Sequence, residues 1–139
     1  MHVQLSPIRR GAAALSALLA LVVIGQLLGA VWRFYAPMLT RSEAIWFGAW
    51  GVLAFLAALA PWFYARAPRL AGWLPYAAAA LFLGLVVPGL FSISVHMLVA
   101  GLLELLAGWL LAPGWSRVGL VFVVALSITA GLLAWVWLG

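Results

Sequence analysis

The chain has 139 residues, 69% of them hydrophobic and 6% charged, against about 45–50% apolar and about 25% charged in a typical soluble domain. Two acids and seven arginines cannot clothe a water-soluble surface, so the solvent for most of the chain is lipid. The absence of cysteine excludes disulfides, thiolate metal sites and cysteine nucleophiles. The net charge of +5 is scattered over short segments, which reads as membrane topology rather than a nucleic-acid site.

A bilayer core about 30 Å thick takes roughly 20 apolar residues of helix. The first such run covers residues 11–32. "RFYAPMLTRSE" interrupts it, with Pro37 as breaker and Arg33, Arg41 and Glu43 as polar punctuation. The second covers 44–64 and stops at "ARAPRL". The apolar stretch 71–112 is about twice a membrane thickness as one helix, so it must fold back. "VVPGLFS" offers the turn at Pro88 and Gly89, which gives a short third span over 72–87 and a fourth over 91–112. "APGWSR" ends the fourth, and 118–138 is the fifth.

The expected fold is therefore all-α: one integral-membrane helical bundle spanning residues 1–139, with five transmembrane helices. A four-span arrangement with a partly re-entrant third segment is the alternative. With the N-terminus in, Arg9, Arg10, Arg66, Arg69 and Arg117 fall on the cytoplasmic side and Arg33 and Arg41 outside, as the positive-inside rule requires. A cleaved signal peptide is the competing reading of residues 1–32. The first apolar run exceeds the usual 7–15 residues, and "GAVWRFYAP" is a poor cleavage site. Trp32, Trp46, Trp62, Trp73, Trp109, Trp115, Trp135 and Trp137 lie near span ends, where indoles anchor at headgroups; Trp50 lies deeper.

Lipid tails are as apolar as leucine, so helix association relies on close approach through small residues. Gly25 and Gly29 offer such a face in span one, Ala44 with Gly48 and Ala54 with Ala58 in span two, and Ala80 with Gly84 in span three. Ser94, Gly101 and Gly108 recur in span four, and Ser127 with Gly131 and Ala130 with Ala134 in span five.

The polar residues within the spans are the candidate functional set. At 100° per residue, Glu104 lies within about 80° of Ser94, Met97, Gly101 and Gly108, so it is expected to face protein. Depth matching suggests two polar layers, Glu104 with Ser127 or Thr129, and His96 with Gln26. Glu104 then reads either as a hydrogen bond holding helices together or as a proton or cation site. His96 reads as a satisfied interface residue, because His2 is the only other histidine and haem ligation needs two at compatible depth. His96 and Glu104 are about 12 Å apart along a helix and cannot share a metal ion. No hydrolase, Walker or zinc-protease motif is present, and acid–base catalysis has few players, which argues against an enzyme.

The stretch "GLLELLAGWLLAPGWSRVGLVFVVALSITAG", residues 101–131, resembles the DoxX-like group of small bacterial membrane proteins. Gly101, Glu104, Leu105, Gly108, Gly114 and Arg117 carry the match. In that group a Gly-x-x-Glu-Leu helix runs into a Gly and Arg turn and a second small-residue helix. Here the Glu helix comes late, and five spans stand where four are usual. The resemblance implies an accessory subunit near quinone or sulfur redox complexes.

The expected function is a non-catalytic accessory or assembly subunit in the inner (plasma) membrane, without a cofactor. Its partners would be the bilayer and either other membrane subunits or further copies of itself. Two alternatives stand beside it: a small oligomeric proton, cation or solute carrier using Glu104, and a quinone-linked redox subunit using His96 and the aromatic ends.

Overall fold

The structure, a computed structural model, describes residues 6–86 and 94–138. Five α-helices follow one another, with no strand among the described residues: α1 Pro7–Tyr35, α2 Arg41–Phe63, α3 Pro68–Gly84, α4 Ser94–Leu111 and α5 Trp115–Leu138. Three segments are long and apolar enough to cross a membrane: Pro7–Met38, Arg41–Phe63 and Trp115–Trp135. α3 has 17 residues and α4 has 18, and the apolar part of α4, Val95–Leu111, is correspondingly short.

Local chemistry sets the boundaries. α1 starts four residues earlier than the apolar run suggests. Ser6 caps it by accepting from the Arg9 amide, and Pro7 occupies the first turn, where its missing N–H costs nothing. Arg9 and Arg10 are therefore helical, not a leading tail. Pro37 lies in a 3-10 turn, Ala36–Met38, that ends the first apolar helix. Thr40 then accepts from the Glu43 amide, and the Glu43 carboxylate sits in the first turn of α2, at the positive end of its dipole. What reads as polar punctuation is thus a helix start. The expected turn at Pro88 and Gly89 lies outside the described residues; α3 ends at Gly84 and α4 is underway by Ser94.

Two core layers show how the helices run. At one end Ala13, Ala60, Ala71 and Leu111 meet, one residue from each of α1 to α4. At the other, Ile24 and Leu27, Trp50 and Ala54, Phe82 and Leu85, and Met97 and Ala100 form the larger core. Successive helices therefore alternate in direction. The alternation gathers Arg9, Arg10, Arg66, Arg69 and Arg117 toward the first end and leaves Arg33 and Arg41 toward the second. α1 packs on α4 and α2, α3 packs on α4, α5 and α2, and α5 rests principally on α3.

The core is built largely of alanine. Ala13, Ala17, Ala20, Ala54, Ala57, Ala60, Ala71, Ala78, Ala79, Ala100 and Ala107 are all fully buried. Small side chains let backbones approach closely where burial against lipid supplies no force. Many larger apolar residues are turned outward, Leu126, Val123, Phe122 and Trp135 on α5 among them.

Candidate functional site

α4 carries the site. Met97, Ala100, Gly101, Glu104, Ala107, Gly108 and Leu111 form its buried stripe, spaced three and four apart as one helix face. A Cβ on Gly101 would stand 2.7 Å from Leu83, and one on Gly108 3.1 Å from the Tyr76 ring, so both glycines are needed where α3 crosses α4. Ala107 meets Ala17 of α1 and Ala58 of α2 one turn from Glu104. On the α1 side, Ser16 donates to the Leu103 carbonyl at 2.6 Å. Glu104 is fully enclosed, as its position on the small-residue face implies. Neither of its carboxyl oxygens has a hydrogen-bond partner.

That last fact departs from the expected pairing. Ser127 turns outward and donates to Val123 of its own helix, at 2.9 Å. Thr129 donates to the Gly84 carbonyl of α3 at 2.8 Å. The layer of Glu104 with Ser127 or Thr129 is not formed, because α5 rests on α3 rather than on the Glu104 face of α4. Equal depth along two helices does not make them neighbours. His96 is half-buried with an unpartnered Nδ1, while Gln26 faces outward from α1, so the second expected layer is not formed either. Trp50 is 2% exposed and edge-on to Phe47 at 4.8 Å, and its indole nitrogen is unpartnered too.

The expected packing glycines divide the same way. Gly101 and Gly108 lie in contacts, whereas Gly25, Gly29 and Gly131 lie on the outer surface, where an added Cβ would meet nothing within 4 Å. Ala44, Gly48, Ala130 and Ala134 are likewise exposed, and Ala54, Ala58, Ala80 and Gly84 are buried. The side chain of Ser94 lies outside the described residues. A Cβ added at Gly51 would stand 3.0 Å from Leu28, and one at Gly72 3.0 Å from Arg117 and 3.1 Å from Ala112, close approaches the small-residue spacing does not reveal.

A second polar assembly closes the arginine-rich end of α4. The last carbonyls of a helix have no intrahelical donor. Here Arg9 of α1 donates from Nε to the Leu110 carbonyl and from Nη2 to that of Trp109, the latter at 3.0 Å. Tyr76 of α3 donates to the Ala112 carbonyl at 2.8 Å. Arg117 lies over the Trp73 ring with its guanidinium carbon 4.5 Å from the centroid, and 6.0 Å from that of Tyr76. The Arg9 contact joins positions about a hundred residues apart and has no sequence signal.

Among the described residues no group of three histidine, cysteine or acidic side chains is placed to hold a metal ion. Comparison with family models, with curated proteins and with solved structures finds no match.

Proposed function

We propose that this chain is a five-crossing membrane protein with its N-terminus in the cytoplasm. In this reading it serves as a non-catalytic accessory or assembly subunit of a larger complex in a bacterial inner membrane. One observation carries the reading: Gln26 projects from the outer face of α1, flanked by Gly25 and Gly29, which are open to close approach. Gln26 is five residues from the middle of α1, about 7.5 Å along its axis, and so within the hydrocarbon layer. An amide turned toward lipid lacks partners, and an interhelical hydrogen bond from another protein's helix is worth about 0.6–2 kcal/mol. A glycine pair beside it lets that helix come close enough to make the bond. The resemblance to DoxX-like proteins points the same way, toward an accessory role.

Purification in mild detergent tests this. The expected result is a stoichiometric heterologous membrane partner, lost when Gln26→Leu is combined with Gly29→Leu. A chain that purifies without a heterologous partner at every detergent concentration would sink the subunit reading.

A second reading rests on Glu104. An enclosed carboxyl group without a protein partner suits a group that takes up a proton or cation from a passing solute. In that case Glu104→Gln abolishes proton or cation flux in liposomes while the protein still assembles. A bound quinone co-extracted with the pure protein would instead support the redox alternative.

A further inference from the structure

The α3–α5 seam opens outward as an apolar groove with a cavity volume of about 270 Å³. Trp73, Ala77 and Ala80 line it from α3, and Leu120, Val124 and Ile128 from α5. Three features coincide at its arginine-rich end. Arg117 is held over Trp73, one of the groove's own walls, and makes no ion pair among the described residues. Its Nη1 is buried beside Gly72 without a hydrogen-bond partner. α5 begins two residues before Arg117; the Val118 amide donates to Gly114, just ahead of the helix, so the amides of Trp115, Ser116 and Arg117 precede the helical ladder. A helix start of this kind favours an anion, and a cation beside it adds to that preference.

We infer that this groove binds one acyl chain of an anionic phospholipid, with the phosphate held by Arg117 at the start of α5. The inference rests on the membrane reading above. Length supports it: on α5 the groove lining runs from Leu120 to Ile128, eight residues or about 12 Å of helix, which fits within half of a roughly 30 Å hydrocarbon core. The groove therefore fits within one leaflet, and Arg117 lies about one helical turn beyond its Leu120 end, toward the headgroups. Charge complementarity selects the lipid. Arg9, Arg10, Arg66, Arg69 and Arg117 gather toward this end with no acid among them, and basic pockets between helices on the cytoplasmic side suit anionic headgroups. Arg9 is committed to the α4 carbonyls, which leaves Arg117, stacked on the groove wall Trp73, as the cation beside the groove. The stacking on Trp73 fixes the guanidinium without using its donors.

The test is lipid retention by the intact protein, read by native mass spectrometry from mixed micelles of phosphatidylglycerol and phosphatidylcholine. One phosphatidylglycerol is expected to stay bound at collision energies that strip phosphatidylcholine. Arg117→Gln should reduce that preference about fivefold, the weight of roughly one basic residue at a membrane surface. Arg33→Gln, at the opposite end of the bundle, should leave it unchanged. Ala77→Phe fills the outer groove from an exposed position and should lower retention of both lipids, with helix content unaltered. Equal retention of the two lipids by the natural chain would overturn the proposal. So would a preference that survives both Arg117→Gln and Ala77→Phe in folded protein. Displacement of the lipid by millimolar inorganic phosphate alone would also overturn it, by showing a phosphate site without an acyl slot. Reporter-fusion topology of the same variants separates this from failure of the membrane reading: a changed lipid profile with unchanged topology tests the groove alone.

Discussion

The carboxyl group of Glu104 sets the energetics at the scale of single residues. Burying a polar group without a partner costs about 1–3 kcal/mol by mutational measures, so a side chain of like volume and no polarity relieves that cost. Glu104→Leu is therefore expected to raise the thermal midpoint in detergent, not lower it as loss of an interhelical hydrogen bond would. A clear fall in midpoint would mean that Glu104 has a partner in the assembled protein. Glycine positions give a cleaner contrast. Gly101→Ala places a methyl group 2.7 Å from the branch carbon of Leu83 and should destabilise by about 1–3 kcal/mol. Gly131→Ala, with open space around it, should be silent or slightly stabilising through helix propensity. Equal effects of the two, in parallel detergent melts, would contradict the packing of α3 on α4.

At the scale of the element, α4 is a short helix whose end is finished by its neighbours. Arg9 supplies donors to the Trp109 and Leu110 carbonyls and Tyr76 to that of Ala112 just past its end, and Arg9 also places positive charge at the negative end of the dipole. Arg9→Leu is expected to lower stability by about 1–3 kcal/mol, the scale of charge-assisted hydrogen bonds in a partly buried site. Arg10→Leu removes the same charge from an exposed position and should change stability little. Denaturation of the two variants side by side checks this; indistinguishable curves would mean that the Arg9 contacts add nothing. α5 is the opposite case. It leans on α3 through Val121, Ala125, Ile128 and Thr129 and leaves most of its surface to its surroundings.

For the whole molecule, the alternation of five helices makes topology the decisive measurement. Arginines gather toward the end where α1, α3 and α5 begin, the end that the proposed orientation puts in the cytoplasm. Reporter fusions after Gly139 should read as external and fusions within residues 66–70 as cytoplasmic. A cytoplasmic fusion signal after Gly139 would overturn the five-crossing arrangement.

Composition and period were enough to read five helices, the breaks at "RFYAPMLTRSE" and "APGWSR", and the inward turn of Glu104. These depend on local properties: how many apolar residues follow one another, and which face a side chain takes at 100° per residue. Ser6 and Thr40 were legible as caps in principle, but the apolar runs alone placed the helix starts too late. Tertiary structure decided which helices touch. Small residues occur on nearly every face of so apolar a chain, so spacing could not tell Gly101 and Gly108, which pack, from Gly25, Gly29 and Gly131, which do not. Depth along an axis could not reveal that α5 rests on α3, which leaves Glu104 without Ser127 or Thr129. Nor could it bring Arg9 to the end of α4 or Arg117 onto Trp73. A helix's inward face follows from its own sequence, but its neighbours are fixed only when all the faces are packed at once.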